Sequence, residues 1–313
     1  MEAAFQVLES EGILQTRPKQ RALICEQPRL PCNDTIRKVG WLDGRPRGQL
    51  SSVDLRSIYK LQISLLEAGH QFELRLVAPA RRKFTPAFLQ RHLDQQRASH
   101  WVLANQPESV LAWFAGTGAK ACILGSRPPS AQSLPAIDLC RPAAVRHATG
   151  LLLARGHRRI AFLTGESPSY EDAMVESAFL NAAIPTGVER ALILKRHDGS
   201  GMGLRVILER LFCDKDARPD ALIVAGGAEA LTAYTFLTAH LRLRLPEDVS
   251  FISLDEEIAF AHFAPQPAHY TRTANALARS IFQLLQRLDQ RRPEGKLEIP
   301  PDFVAGETVR VGG

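Results

Sequence analysis

An α/β protein made of two parallel, doubly wound sheets is the fold class this sequence predicts, and three observations predict it. From Ile36 onward, short apolar runs alternate with amphipathic stretches, the order that generates right-handed β-α-β units with helices on both faces of a sheet. Some runs, such as "IAFLTG", are continuous rather than alternating, as strands buried on both faces are. Roughly ten strands exceed what one open sheet holds comfortably, so two similar lobes are expected. The first runs from about 36 to 139 and the second starts near 141.

The elements follow in order. "IRKVGWL" (36–42) predicts a strand and "SSVDLRSIYKLQISLLEAGH" (51–70) a helix, because Leu55, Ile58, Leu61, Leu65 and Leu66 recur at i, i+3, i+4 spacing. Gly69 stands where a helix stop belongs. "QFELRLVAP" is the next strand, and "TPAFLQRHLDQQRA" the next helix, with Thr85 as N-cap and Pro86 at the first helical position. "HWVLANQ", "PESVLAWFAGTG", "AKACILGS" and "AIDLC" predict strand, helix, strand, strand, with the Pro/Ser segment "SRPPSAQSLP" (126–135) near the lobe junction. A helix over 142–155 ends at Gly156, His157-Arg158-Arg159 follow at its negative end, and the buried strand comes next. Helices near 170–183, 202–213, 228–240 and 273–290 then alternate with strands "ALILKR", "ALIVAGG" and "VSFISLDEE", and "LEIPPDFVAGE" closes the series.

Composition bounds the function. The chain has 313 residues, 45% hydrophobic and 23% charged, enough to bury a real core. Its net charge of +6 leaves room for an anionic partner without demanding one. Five cysteines without a Cys-x-x-Cys pair read as reduced thiols, and the first residues carry no signal-peptide pattern. No run of about 18 apolar residues is present. A cytoplasmic protein with no membrane partner is therefore expected. No His-Glu-x-x-His motif is present, "GESPS" fails the nucleophile-elbow pattern at its last position, and "GSGMG" lacks a dinucleotide-type acidic partner. Neither catalysis, metal nor cofactor is expected.

Two resemblances sharpen this. "AIDLCRPAAVRHATGLLLARGHRRIAFLTG", "RPDALIVAGGAEALTAY", "LRLPEDVSFISLDEE" and "HYTRTANALARSIFQLLQRL" together resemble the effector domain of lactose/galactose-repressor (LacI/GalR) regulators, over roughly residues 36–310. The resemblance implies a type I periplasmic-binding-protein-like fold, with two lobes joined by three crossovers around a small-molecule cleft. It implies a first lobe of 36–140 plus about 268–292 and a second of 141–267 plus about 293–310. "EAAFQVLESEGILQTRPKQRALI", within residues 1–24, resembles the tail of a GntR-type winged helix, followed by a linker over 25–35. The two helices expected before that tail are not in the sequence, so the DNA reader is expected to be partial.

Ligands of open α/β sheets sit beyond the carboxyl ends of strands. The effector candidates are therefore Asp43, Arg45, Asn105 and Arg127 in the first lobe, and Tyr170, Asp172, Gly226 and Asp255 in the second. Gln106, Ser126, Glu166, Glu229 and Glu256 share those strand ends, and Glu256-Glu257 reads as a solvated turn. Asp255 matches the family's Asp in its Gly-Phe-Asp segment. Two departures from the sugar-binding pattern stand out: Val175 occupies the place of an Arg, and Gly226-Gly227 the place of Asn-Asp. An altered effector is expected, or none, with anionic ones suiting Arg45 and Arg127. Arg17, Lys19 and Arg21 in the wing are the phosphate-contact candidates on DNA.

The function expected is a small-molecule-responsive transcriptional regulator, a repressor acting as a homodimer with DNA and an effector, a sugar or sugar derivative among the candidates, as partners. The alternative is a solute-binding protein or a sensor without DNA-binding activity.

Overall fold

The structure, a computed structural model, describes residues 14–15, 23–24, 37–45, 50–76, 86–87, 89–91, 98–167, 169–182, 191–288 and 295–311. Near the head, β1 (Leu14–Gln15) pairs antiparallel with β2 (Leu23–Ile24). Wing residues Arg17, Lys19 and Arg21 and the 25–35 linker lie outside the described residues.

The first lobe is built from β3 (Lys38–Asp43), α1 (Ser52–Glu67), β4 (Gln71–Leu76), β5 (His100–Ala104), α2 (Glu108–Thr117), β6 (Ala121–Leu124) and β7 (Ala136–Asp138). The second starts with α3 (Arg141–Ala154), β8 (Arg159–Gly165), α4 (Tyr170–Leu180), β9 (Ala191–His197) and α5 (Gly201–Phe212). It continues through β10 (Ala221–Val224), α6 (Gly227–Thr235), β11 (Ser250–Ser253) and β12 (Ala268–Thr271). Then come α7 (Ala274–Arg287), β13 (Lys296–Glu298) and β14 (Asp302–Val304).

Two six-stranded sheets result, ordered β13-β7-β6-β5-β3-β4 and β14-β12-β11-β10-β8-β9. Every pairing in them is parallel except β12 with β14. Strand side chains divide between two helical layers, as period-two geometry requires. In β8, Ile160 and Phe162 join one core with α3 and α4, while Ala161 and Leu163 join another with α5 and α6. In β5, Val102 and Ala104 face α1 and α7, whereas Trp101 and Leu103 face α2. Gly40 leaves room for the Trp101 ring, since a Cβ there would lie 2.6 Å from it.

The chain passes between lobes three times: from β7 to α3, from β12 to α7, and from β13 to β14. The last two passes correct the expected boundaries. Ala268–Thr271, expected in the first lobe, pairs with β11 of the second, and Lys296–Glu298, expected in the second, pairs with β7 of the first. Edge-strand membership depends on a distant partner, which local pattern does not carry. The expected closing strand "LEIPPDFVAGE" is two strands in different sheets, parted at Pro300-Pro301, where no N–H is available for a ladder.

The basic corner is structural. Gly156 takes φ +86° past the end of α3, His157 is buried, and Asp220 accepts the backbone N–H of Arg158 at 2.9 Å and of Arg159 at 3.1 Å. His157 Nδ1 lies 3.4 Å from the same carboxylate. Ser200 in "GSGMG" caps α5 by accepting from Gly203 N–H at 2.9 Å. That glycine-rich turn is a helix start.

Candidate functional site

The carboxyl ends of β3, β5 and β6 face those of β8, β10 and β11 across an interlobe cleft. On the first lobe, Asp43 is fully buried at the end of β3. Its Oδ1 accepts from Arg45 N–H at 3.0 Å and Arg45 Nε at 3.2 Å, and its Oδ2 from Arg45 Nη2 at 3.2 Å. Arg45 Nη1 reaches Asp54 Oδ2 at 2.8 Å. Asp54 is also half of the capping box that starts α1: it accepts Ser51 N–H at 3.1 Å while Ser51 Oγ accepts Asp54 N–H at 3.2 Å. Burial works against the Arg45 charge, but Asp54 and Asp43 hold its pKa well above the ordinary value. Asn105, in the left-handed region at φ 52°, donates Nδ2 to Asp43 Oδ1 at 3.3 Å. Gln106 Nε2 donates to the Leu42 and Ala104 carbonyls at 3.1 and 3.0 Å. That fixes the amide, and its buried Oε1 has no partner among the described residues.

The second lobe presents Asp255, at the end of β11, to two guanidinium groups. Arg141 Nη1 donates to its two oxygens at 3.1 and 2.9 Å, and Arg272 Nη1 lies 3.5 Å from Oδ1. Arg141 Nη2 also donates to the Ala225 carbonyl at 3.1 Å. Burial opposes the Arg141 charge, yet Asp255, then Glu171 and Asp172, raise its pKa above the ordinary arginine range. Glu171, in the first turn of α4, is 5% exposed, and its Oε1 has no partner among the described residues. Burial, with Asp172 and Asp138 adding to it against the attraction of Arg141 and Arg272, pushes its carboxyl up to about 7. Glu229, in the first turn of α6, is likewise raised, by burial and then by Asp255.

Direct contacts draw the lobes together. Glu257 accepts from the Ser52 backbone N–H at 3.2 Å, at the N-terminus of α1, and from Ser52 Oγ. Arg56 Nη2 meets Glu256 Oε1 at 3.2 Å. The Tyr170 N–H donates to the Gln106 carbonyl at 3.1 Å. Glu171 packs on Gly125, the residue after β6, where a Cβ would collide with the carboxylate and where φ is +122°. Among the described residues, a cavity of about 10 Å³, about one water's worth of space, is lined by Asn105, Gln106, Ser126, Ser169 and Glu171 among others.

The structure places the expected residues unevenly. Asp43, Arg45, Asn105 and Asp255 sit on the cleft walls. Tyr170 contributes its backbone to the lip and packs its side chain on the first-lobe core. Asp172 is half-buried beside Glu171, and Gly226 is the N-cap of α6, where a Cβ would meet Glu229. Two expectations are corrected. Arg127 donates Nη1 to the Gln132 and Leu134 carbonyls at 3.3 and 3.1 Å, and Arg45 is not a free anion receptor, because it is paired with two carboxylates. Glu256-Glu257 is an interlobe clasp rather than a solvated turn.

Sequence reasoning missed Arg141, Glu171, Arg272 and Glu257 as site residues. Arg141 supplies a guanidinium to Asp255 from the start of α3, while Val175 is buried in the core. One signal was available: an Arg at the positive end of a helix with no acidic residue in its first turn needs an anion elsewhere. Glu171 gave none, because an acidic first turn is what helix starts ordinarily carry. Among the described residues, no group of His, Cys, Asp and Glu could hold a metal ion, and no helix is long and apolar enough to cross a membrane.

Comparison with known proteins fits this geometry. Residues 149–309 match the family model described as a periplasmic binding protein-like domain. The HTH-type transcriptional regulator CelR of Thermobifida fusca is 25% identical over 165 residues, 52% of this chain and 48% of the relative. The chain thus spans about half the length of the curated relative it matches. Among solved structures, a LacI family transcriptional regulator from Bifidobacterium animalis superposes with a TM-score of 0.72 at 17% identity, over 88% of this chain and 98% of that one. The lac repressor dimer bound to operator and an anti-inducer gives 0.72 at 17%, over 89% and 96%. A CelR–cellobiose complex gives 0.69 at 19%, over 87% and 85%. The shared feature is the two-lobed fold.

Proposed function

We propose that this chain, which belongs to the periplasmic-binding-protein-like domain family, is the sensing part of a transcriptional regulator, a repressor whose lobe angle is set by a small molecule in the cleft. The observation that carries this reading is the clasp of Ser52 with Glu257 and Arg56 with Glu256, which ties lobe closure to a cleft lined with buried polar groups. A ligand that binds the closed arrangement better shifts the lobe angle by its differential affinity, and paired readers would respond to that angle. The relatives are described as transcriptional regulators, one of them as a dimer on operator DNA and one as a complex with cellobiose.

A homodimer agrees with the outer face of α1, where Leu55, Tyr59 and Leu66 are 47%, 60% and 50% exposed at i, i+4 and i+11. The GntR-type reading of the head belongs to this proposal too. It is supported by the antiparallel pairing of β1 with β2, where that reading places a strand, a wing and a return strand. Arg17, Lys19 and Arg21 would then contact phosphates.

The test is selection of genomic fragments from the source organism by the purified chain, repeated with effector panels. Recovery of a fragment whose occupancy changes with a small molecule supports the reading. Ligand binding without any fragment enriched leaves a sensor that does not bind DNA by itself. For the dimer, Leu55→Asp with Tyr59→Asp is expected to halve the mass in sedimentation, and an unchanged mass would exclude α1 from the interface.

A further inference from the structure

Among the described residues, the charged groups of the cleft walls are unevenly matched. On the first lobe, Asp43 and Asp54 share Arg45. On the second, Asp255, Glu171 and Glu229 share Arg141 and Arg272, and Arg141 and Arg272 both turn toward Asp255. Among these described groups each wall carries one carboxyl more than its guanidinium groups. On the second wall Glu171 and Glu229 stand outside the Arg141–Asp255–Arg272 contacts, and both sit in places that favour the uncharged form.

Unpartnered atoms mark where the missing charge belongs. Gln106 Oε1 and Glu171 Oε1 are both buried acceptors without a donor among the described residues, and both residues line the small cavity with Ser169. Gln106 cannot relieve this by flipping, because its amide nitrogen already serves two carbonyls. These acceptors come from opposite lobes, and their residues line the same small cavity. Buried polar atoms in such a position are normally paired, and an ammonium beside these two acceptors would supply the donors and favour the ionised form of Glu171. Nearby, Arg141 Nε and Arg272 Nε and Nη2 are buried donors without acceptors, which ligand hydroxyls would satisfy.

We propose that the cleft receives a small hydroxylated molecule carrying a protonated amine, with the ammonium between Glu171 and Gln106 and hydroxyls against Arg141, Arg272 and Asp255. This rests on the sensing role assigned to the cleft and names the chemical class of its ligand. An ammonium there supplies three N–H donors in one compact group, enough for Glu171, Gln106 and the Ser169 hydroxyl oxygen together. The cavity is too small for such a ligand as it stands, so entry requires the Ser52–Glu257 and Arg56–Glu256 clasp to part and re-form around it.

The experiment is calorimetric titration of the whole chain at about pH 6.5, below the ordinary pKa of an amine. The probes are glucosamine, galactosamine and mannosamine, their N-acetyl forms, the parent hexoses, the hexose 6-phosphates, and putrescine. At least one free amine is expected to bind at least tenfold more tightly than its N-acetyl, neutral and phosphorylated counterparts. Glu171→Gln is expected to weaken that amine at least tenfold without lowering the melting temperature, whereas Glu176→Gln, on the same helix but paired with Arg196, keeps the affinity. A neutral or phosphorylated hexose that binds as well as its amine overturns the inference and leaves the sensing role standing. So does amine binding that survives Glu171→Gln. Silence from every free amine overturns the inference as well, and silence from all probes together with no enriched DNA fragment removes the sensing role with it.

Discussion

The two walls of the cleft use the same ingredients to different ends. On the first lobe, Arg45 is closed off by Asp43 and Asp54, and Asp54 is in turn committed to the cap of α1, so the wall's guanidinium is taken up by its own helix start. On the second, Asp255 is shared between guanidinium groups from two interlobe passes, Arg141 at the first and Arg272 at the second. Glu171 beside them has no hydrogen-bond partner for its Oε1 among the described residues. The first wall keeps one spare acceptor, Gln106 Oε1, whereas the second has spare donors and acceptors beside the interlobe passes. More of the unpartnered polar atoms among the described residues therefore lie on the second lobe, next to those passes.

Removing the central carboxylate from each wall is the largest perturbation of this contrast. Asp255→Ala leaves Arg141 and Arg272 buried without their shared anion, and loss of one partner of a buried pair costs about 3–5 kcal/mol. Asp43→Ala leaves Arg45 still joined to Asp54, so roughly 1–3 kcal/mol is expected, the range for stranding a buried hydrogen-bonding group. Urea unfolding of both variants measures the difference. Equal losses would mean the second wall is as self-contained as the first.

The next effect is smaller and depends on pH. Glu171 has a folded-state pKa raised from 4.5 to about 7, chiefly by burial. Between those values the folded protein binds more protons at this group than the unfolded chain, so stability falls as pH rises from about 4.5 to 7. The full span corresponds to on the order of 3 kcal/mol, an upper bound because Arg141 and Arg272 face the group from α3 and the β12–α7 pass while Asp172 and Asp138 oppose them. Melting temperature followed across this window is expected to drop in the native chain relative to Glu171→Gln. Parallel curves for the two would show that Glu171 is already charged and matched.

This contrast also shows what was readable in the chain. Both sheets followed from apolar runs, because a strand buried on two faces, such as β8, has to be apolar throughout. Asp43, Asn105 and Asp255 were readable for a related reason: a polar residue at the carboxyl end of such a strand has only the cleft to face. Arg141 and Arg272 were not readable as partners, since each is paired with Asp255 through a crossing between lobes rather than through local sequence. Glu171 resembles any acidic residue at a helix start, and its burial depends on Gly125 of the opposite lobe. The assignments of β12 and β13 failed on the same ground, as contacts between distant segments decided them.

The smallest expected effect belongs to the seam between the walls. Glu257 comes from the second lobe, yet its partners are the Ser52 hydroxyl and N–H at the positive end of α1 in the first. It also fills the space over Gly227, where a Cβ would lie 2.6 Å from its Oε1. Glu257→Gln preserves that shape while removing the charge, so the cores of both lobes are untouched and the melting temperature is expected to stay within a degree or two, ~0.5 kcal/mol or less in stability. The clasp itself weakens by about 1 kcal/mol, the worth of a charge at a helix N-terminus. Apparent ligand affinity scales with the fraction of molecules in the binding-competent closed form, so it falls by up to about fivefold. Small-angle scattering of the ligand-free protein is expected to show a larger radius of gyration in the variant than in the native chain. An unchanged radius together with unchanged affinity would mean that Arg56–Glu256, Tyr170 and Glu171 hold the walls together without the Glu257 charge. The difference between the committed Arg45 and the unpartnered Glu171 would then matter for lobe closure as well as for recognition.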